Sequence, residues 1–152
     1  MKILLAASEA VPFAQTGGLG DVAGALPKAL GRLGHDVRLI MPLYRAVDVG
    51  QHQLGIVASG VRVPAASGSQ AVDLLEGHLS SGVPVYFVRH DPSFNRNGLY
   101  QTPSAEDYPD NAERFALFCR AALEVCRTVS FQPEVLHAHD WQTALLPVYL
   151  KT

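Results

Sequence analysis

A strand, helix, strand pattern in the first forty residues does most to limit how this chain can fold. Lys2 to Ala7, KILLAA, is a short continuous apolar run, the signature of a strand buried on both faces of a parallel sheet. A glycine-bearing loop follows. Val22, Ala23, Leu26, Leu30 and Leu33 then recur at helical spacing, and Gly34 supplies a stop signal. Pro27 marks a kink or a late helix start. Asp36 to Met41, DVRLIM, reads as a second strand ended by Pro42. Two strands joined through a helix require a crossover, which favours a parallel sheet, so the pattern predicts a doubly wound α/β fold.

The remaining elements fit that frame. Residues 54–64 and 71–79 read as a β pair, and VPVYFV at 83–88 as a further strand rich in β-branched and aromatic residues. From His90 to Pro109 three prolines, Gly98 and several Asn, Asp and Ser residues predict a long loop, a length that usually accompanies function or disorder. Asp110 with Glu113 three residues on resembles a capping box. Phe115, Phe118, Ala122, Leu123, Cys126 and Val129 then line one helix face. Glu134 to Ala138 is another strand, and Asp140 opens a last helix that runs to Thr152.

Length and charge narrow the class. The 152 residues suit one globular domain. Twelve basic against 14 acidic residues, with no Lys/Arg cluster, exclude the electrostatic footprint of a nucleic-acid binder. Cys119 and Cys126 lie seven apart on a predicted helix, a spacing that holds their backbones too far apart for a disulfide, so both read as buried reduced thiols. The apolar start stops at Ser8-Glu9, too short for a signal sequence or a membrane span. A cytoplasmic protein without a membrane partner is expected.

Two motifs carry chemistry. In Gln15-Thr-Gly-Gly-Leu-Gly-Asp-Val22, Gly17, Gly18 and Gly20 let a backbone approach a ligand closely, and free N–H groups at the helix start favour an anion such as a diphosphate. A tight strand-to-helix connection would need the same glycines. Gly18-x-Gly20-x-x-Ala23 also matches a relaxed dinucleotide fingerprint, which raises an oxidoreductase. Against it, Ser8 and Gly18 are too far apart for that motif's first turn, and Met41-Pro42 stands where the ribose-binding acid belongs.

The second motif is His137-Ala-His139-Asp140-Trp141-Gln-Thr143, at the carboxyl end of a strand, where open α/β sheets bind ligands. Its plain reading makes Asp140 a helix N-cap, His139 a ring satisfied by backbone and Trp141 packing. His137 and His139, two apart on a strand, point the same way and could begin a metal site as in H-x-H hydrolases. Of the other histidines only His90 stands at a plausible strand end, so further ligands are lacking and no metal is expected.

SEAVPFAQTGGLGDV at 8–22, DPSFNRNGLY at 91–100, YPDNAERF at 108–115 and HAHDWQTAL at 137–145 together resemble the glycogen and starch synthase family, in its order and at similar distances. The resemblance implies a two-domain glycosyltransferase of the GT-B type, built from Rossmann-like domains facing across a cleft. This chain would be the incomplete N-terminal half, with the second nucleotide-binding domain absent from it. The implied reaction moves glucose from ADP-glucose to the non-reducing end of an α-1,4-glucan such as glycogen, with retention and no cofactor. By resemblance, Asp21 and Asp140 sit near the reacting glucose as catalytic candidates. Gly17 and Gly18 lie against the sugar nucleotide, Tyr100 shapes the cleft, and Glu9, His139 and Trp141 are further substrate-binding candidates. Gln15 stands where the family usually has Lys, removing a cation that would face the phosphates. A glucan-binding module without catalysis is the alternative.

Overall fold

Apolar runs become neighbouring strands here because burial on both faces leaves backbone pairing as their only outlet for N–H and C=O groups. A computed structural model describes residues 1–66 and 68–151. In chain order the elements are β1 (Lys2–Ala6), α1 (Gly18–Arg32), β2 (Asp36–Pro42), β3 (Gly55–Ala65), β4 (Gly68–His78), β5 (Pro84–Arg89), α2 (Asp91–Phe94), α3 (Asn111–Thr128), β6 (Val135–Ala138), a 3-10 turn (Trp141–Thr143) and α4 (Leu146–Tyr149).

The strands form one sheet in the order β3-β4-β5-β2-β1-β6. β5, β2, β1 and β6 are mutually parallel, while β3 and β4 form an antiparallel hairpin that joins β5 at the far side. This is the mixed, mostly parallel sheet with flanking helices that the sequence predicts. Leu4, Leu5, Leu39, Ile40, Met41, Val85, Phe87 and Val88 are almost wholly buried and form the centre of the core.

Strand order fixes where a ligand can sit. From β1 the chain steps through α1 to β2 and on to β5 on one side. It then returns through α3 to β6 on the other side of β1. Right-handed crossovers running in opposite directions place their helices on opposite faces, and a crevice opens between β1 and β6 at the carboxyl edge.

Several local expectations change. α1 begins at Gly18 and continues past Pro27 to Arg32, so the proline neither delays nor ends it. Its buried stripe is Gly20, Ala23, Gly24 and Pro27, whereas Val22 and Leu33 are exposed. Small residues are required because the loop before the helix folds back against it. A Cβ on Gly24 would lie 2.7 Å from the Val11 carbonyl oxygen, and Val11 N–H donates to the Gly20 carbonyl at 3.0 Å. The capping box at α3 does not form: Asp110 makes no cap bond because its carboxylate takes the Arg96 guanidinium instead. The 90–109 segment contains α2 and a Gln101–Asp107 bridge. After Asp140 the chain makes a 3-10 turn and then the separate short α4, not one continuous helix. Cys119 and Cys126 are free thiols, both pushed up to about 11 by burial.

Two of the four glycines of α1, Gly24 and Gly31, should therefore respond oppositely to alanine. Gly31→Ala meets only Val83 Cγ2, at 3.8 Å, and should stabilise by about 0.5–1 kcal/mol through helix propensity. Gly24→Ala should lower the melting temperature despite the same propensity gain. Thermal unfolding of both variants checks this, and equal shifts would refute the packing account.

Candidate functional site

The site is built on the carboxyl ends of β1 and β6. Ala6 pairs with Ala138, so Ala7, Ser8 and Glu9 emerge beside His139 and Asp140, and His139 N–H donates to the Ala6 carbonyl at 3.0 Å. The first chain runs through the glycine loop into α1. The second turns sharply at Asp140.

Glu9 organises the loop. Its side chain is buried and accepts from Thr16 N–H at 2.5 Å, Thr16 Oγ1 at 2.7 Å, Gly17 N–H at 3.3 Å and Tyr100 Oη at 2.6 Å. Burial pushes this carboxyl's pKa up, but the four donors outweigh it and hold it below the ordinary glutamate value. Tyr100 gives its proton to Glu9, so Ser8, 2.7 Å away, donates to the phenol oxygen. Burial, then the bond to Glu9, raises the Tyr100 pKa.

Two loop N–H groups are thus committed to a carboxylate, and others are left. Gly17 is the N-cap of α1 and no side chain caps the helix, so the N–H groups of its first turn face outward with the positive end of the helix dipole. A Cβ on Gly17 or Gly18 would meet nothing within 4 Å. These two glycines border open space, whereas Gly20 and Gly24 are packed. Gln15 is exposed and donates through Nε2 to the Gly17 carbonyl at 3.1 Å. Asp21 is exposed on the first turn of α1.

On the other side Asp140 adopts φ 64°, ψ −178°, a region that is essentially reserved for glycine and costs a side-chain-bearing residue about 1–3 kcal/mol. Its carboxylate accepts the N–H of the next residue, Trp141, at 2.6 Å, closer along the chain than an ordinary N-cap bond. Trp141 is 50% exposed and rests edge-on against Phe115, with centroids 5.2 Å apart, and 5.9 Å from the Tyr100 ring. His137 and His139 lie side by side with rings stacked at 4.3 Å. His139 is not satisfied by backbone: its buried Nε2 has no partner among the described residues, and burial followed by the His137 neighbour lowers its pKa. No group of three or more His, Cys, Asp or Glu side chains gathers with ligating spacing among the described residues.

Tyr100 reaches the site because the 91–115 region is pinned from below. Arg114 is 2% exposed; its Nη1 donates to the Ser93 carbonyl at 2.8 Å, its Nη2 to the Leu99 carbonyl, and its Nε to Asn111 Oδ1 at 2.9 Å. Asn111 Nδ2 donates to the Tyr100 carbonyl at 3.0 Å. Sequence reading missed Ser8, Asn111, Arg114 and Thr143 as supports. A cation beside Phe115 on an apolar stripe was the available signal for Arg114. The arrangement is an open ledge. Among the described residues a bowl of about 790 Å³ lies elsewhere, between the β3–β4 hairpin and α3, near His90, Leu117 and Arg120.

Comparisons with known proteins identify the family and the fold. A family model described as the starch synthase catalytic domain matches residues 2–152. Glycogen synthase of Syntrophotalea carbinolica is 54% identical over 155 residues, covering 100% of this chain and 31% of the relative. Glycogen synthase 1 of Geobacter metallireducens is 47% identical, covering 100% and 30%. The catalytic domain of starch synthase IV from Arabidopsis thaliana, bound to ADP and acarbose, superposes with a TM-score of 0.83 at 33% identity, covering 98% of this chain and 30% of that one. The chain thus spans about a third of the length of the curated relatives it matches.

The Glu9 bonds predict a pH signature. A carboxyl held below its unfolded value of about 4.3 contributes stability that is present above that value and is lost as pH falls through the folded one. Glu9→Gln should cost about 1–3 kcal/mol at neutral pH and should flatten the acid side of the stability profile. Denaturant unfolding at stepped pH measures both, and an unchanged acid limb would refute the role given to Glu9.

Proposed function

This chain belongs to the starch synthase catalytic-domain family, and from that membership we propose that it supplies one wall of the active site of a glycogen synthase. The complete protein moves glucose from ADP-glucose to the non-reducing end of an α-1,4-glucan and retains the α-configuration. A second domain provides the facing wall. The observation that carries this reading is the ledge between β1 and β6, where an uncapped helix start, two unobstructed glycines and a carboxylate held in a costly conformation share one edge.

Breaking the sugar–phosphate bond leaves positive charge on the glucose ring and negative charge on the departing diphosphate. Oriented N–H groups suit the second and carboxylates the first. In this reading Gly17 and Gly18 admit the diphosphate to the first turn of α1, where N–H groups and the helix dipole meet it. Asp140 and Asp21 face the developing positive charge. Trp141 offers its exposed ring to the sugar, and the unpartnered His139 Nε2 is available to a hydroxyl. Glu9 and Tyr100 act through the loop they hold. The chemistry needs no metal or cofactor. A ledge open on one side excludes water poorly, so turnover depends on the second domain. No described helix is long and apolar enough to cross a membrane, and from the likeness to bacterial glycogen synthases the proposed location is the cytoplasm.

The test is Asp140→Asn in the complete enzyme, assayed with ADP-glucose and glycogen. Asparagine keeps an oxygen for the Trp141 N–H but removes the charge, so the melting temperature should stay near that of the parent while kcat falls on the order of 100-fold or more. A variant with near-parental kcat would end the assignment.

Gln15→Lys should lower the KM for ADP-glucose, because a charge-assisted bond to phosphate contributes about 1.5–3 kcal/mol where a neutral one contributes less. An unchanged KM would mean that another cation already serves the phosphates.

A further inference from the structure

Thr143 is fully buried, two residues beyond the exposed tryptophan, and its hydroxyl is aimed back along the chain. Oγ1 lies 2.7 Å from the His139 carbonyl oxygen and 3.2 Å from that of Asp140, and Thr143 N–H also donates to the Asp140 carbonyl at 3.2 Å. His139 is therefore held on both sides, its N–H by the Ala6 carbonyl and its C=O by Thr143. The Asp140 peptide between these anchors is also restrained by Thr143 N–H on its carbonyl and by the bond from Trp141 N–H to its own carboxylate.

A residue with a side chain stays at φ 64°, ψ −178° only when its surroundings over-determine it. Without the Thr143 hydroxyl the His139 carbonyl loses this side-chain partner, and with only the Thr143 and Trp141 N–H bonds left the peptide is freer to relax toward an unstrained conformation. The Asp140 carboxylate would rotate with it, since Cβ is carried by the same backbone. The cost of such a move in an active site is large, because displacements of about 1 Å can lose on the order of 100-fold in rate.

We propose that Thr143 is a positioning residue, whose hydroxyl locks the strained Asp140 peptide and so fixes the direction of the Asp140 carboxylate. This rests on the catalytic reading of Asp140 given above, and the experiment separates the two. In the complete enzyme Thr143→Val keeps shape and removes the hydroxyl, Thr143→Ser keeps the hydroxyl, and each is made alone and with Asp140→Asn.

Thr143→Val should lower kcat at least about tenfold per folded molecule with a smaller change in KM, the pattern of a loss felt in the transition state. Thr143→Ser should remain within about threefold of the parent. In the Asp140→Asn background the valine substitution should cost little further kcat while still lowering the melting temperature, because the carboxylate it positions is gone. If the valine variant does not fold, Thr143→Cys takes its place under the same measurements. Additive kcat losses, or an unchanged kcat in a folded Thr143→Val enzyme, overturn the proposal while leaving Asp140 catalytic. If Asp140→Asn alone keeps its rate, the catalytic reading of Asp140 fails and this inference fails with it.

Discussion

A guanidinium can be buried only where its N–H groups find acceptors, and Arg114 meets that condition with main-chain carbonyls and an amide in place of a carboxylate. Phe94 and Phe115 lie against its faces. Because its partners include the carbonyls of Ser93 and Leu99, the cation sets the path of the chain that leads into Tyr100. Tyr100 in turn donates to Glu9, and Glu9 collects Thr16 and Gly17. Removing the cation would leave carbonyls unpaired in the interior. Its effect would be felt at the glycine loop, through Tyr100 and Glu9 and no direct contact.

The same linkage explains why the quoted sequence motifs are spaced as they are. Arg96 and Asp110 pair across the 91–100 and 108–115 segments, Tyr108 Oη donates to the Asn97 carbonyl at 2.6 Å, and Asn111 and Arg114 close the rest. Residues that look like separate polar islands in the sequence are the two halves of one clasp. The glycines divide in a similar way. Gly20 and Gly24 permit close packing of loop on helix, and Gly17 and Gly18 leave space open. The partial match to a dinucleotide fingerprint arises from Gly18 and Gly20, which serve these two different purposes.

Much of the fold was legible because burial on both faces demands near-continuous apolar runs, and β1, β2 and β5 show them. The hairpin was legible as a β pair at 54–64 and 71–79, close to the observed β3 and β4. What local pattern could not give was the outcome of tertiary competition. Asp110 had the spacing of a cap, but Arg96 offered a charged partner, and the stronger interaction won. Val22 and Leu33 had helical periodicity, yet α1 turns its small residues inward because Val11 occupies the space that larger ones would need. Asp140 was visible as a polar residue at a strand end. Its backbone conformation was not, since nothing in the side-chain pattern marks a non-glycine residue at positive φ.

The topology also has a consequence for how the molecule comes together. β3, β4 and β5 are successive antiparallel neighbours, so that part of the sheet closes only short loops. The pairing that creates the ledge is of another kind. β1 meets β6 from the opposite end of the chain, and Lys2 N–H finds the Glu134 carboxylate across 132 residues. Loop-closure entropy opposes that encounter most, and little local structure favours it before the intervening elements are in place. The edge on which the proposed chemistry depends is therefore the strand pairing with the greatest sequence separation in the sheet, the one whose loop closure costs most.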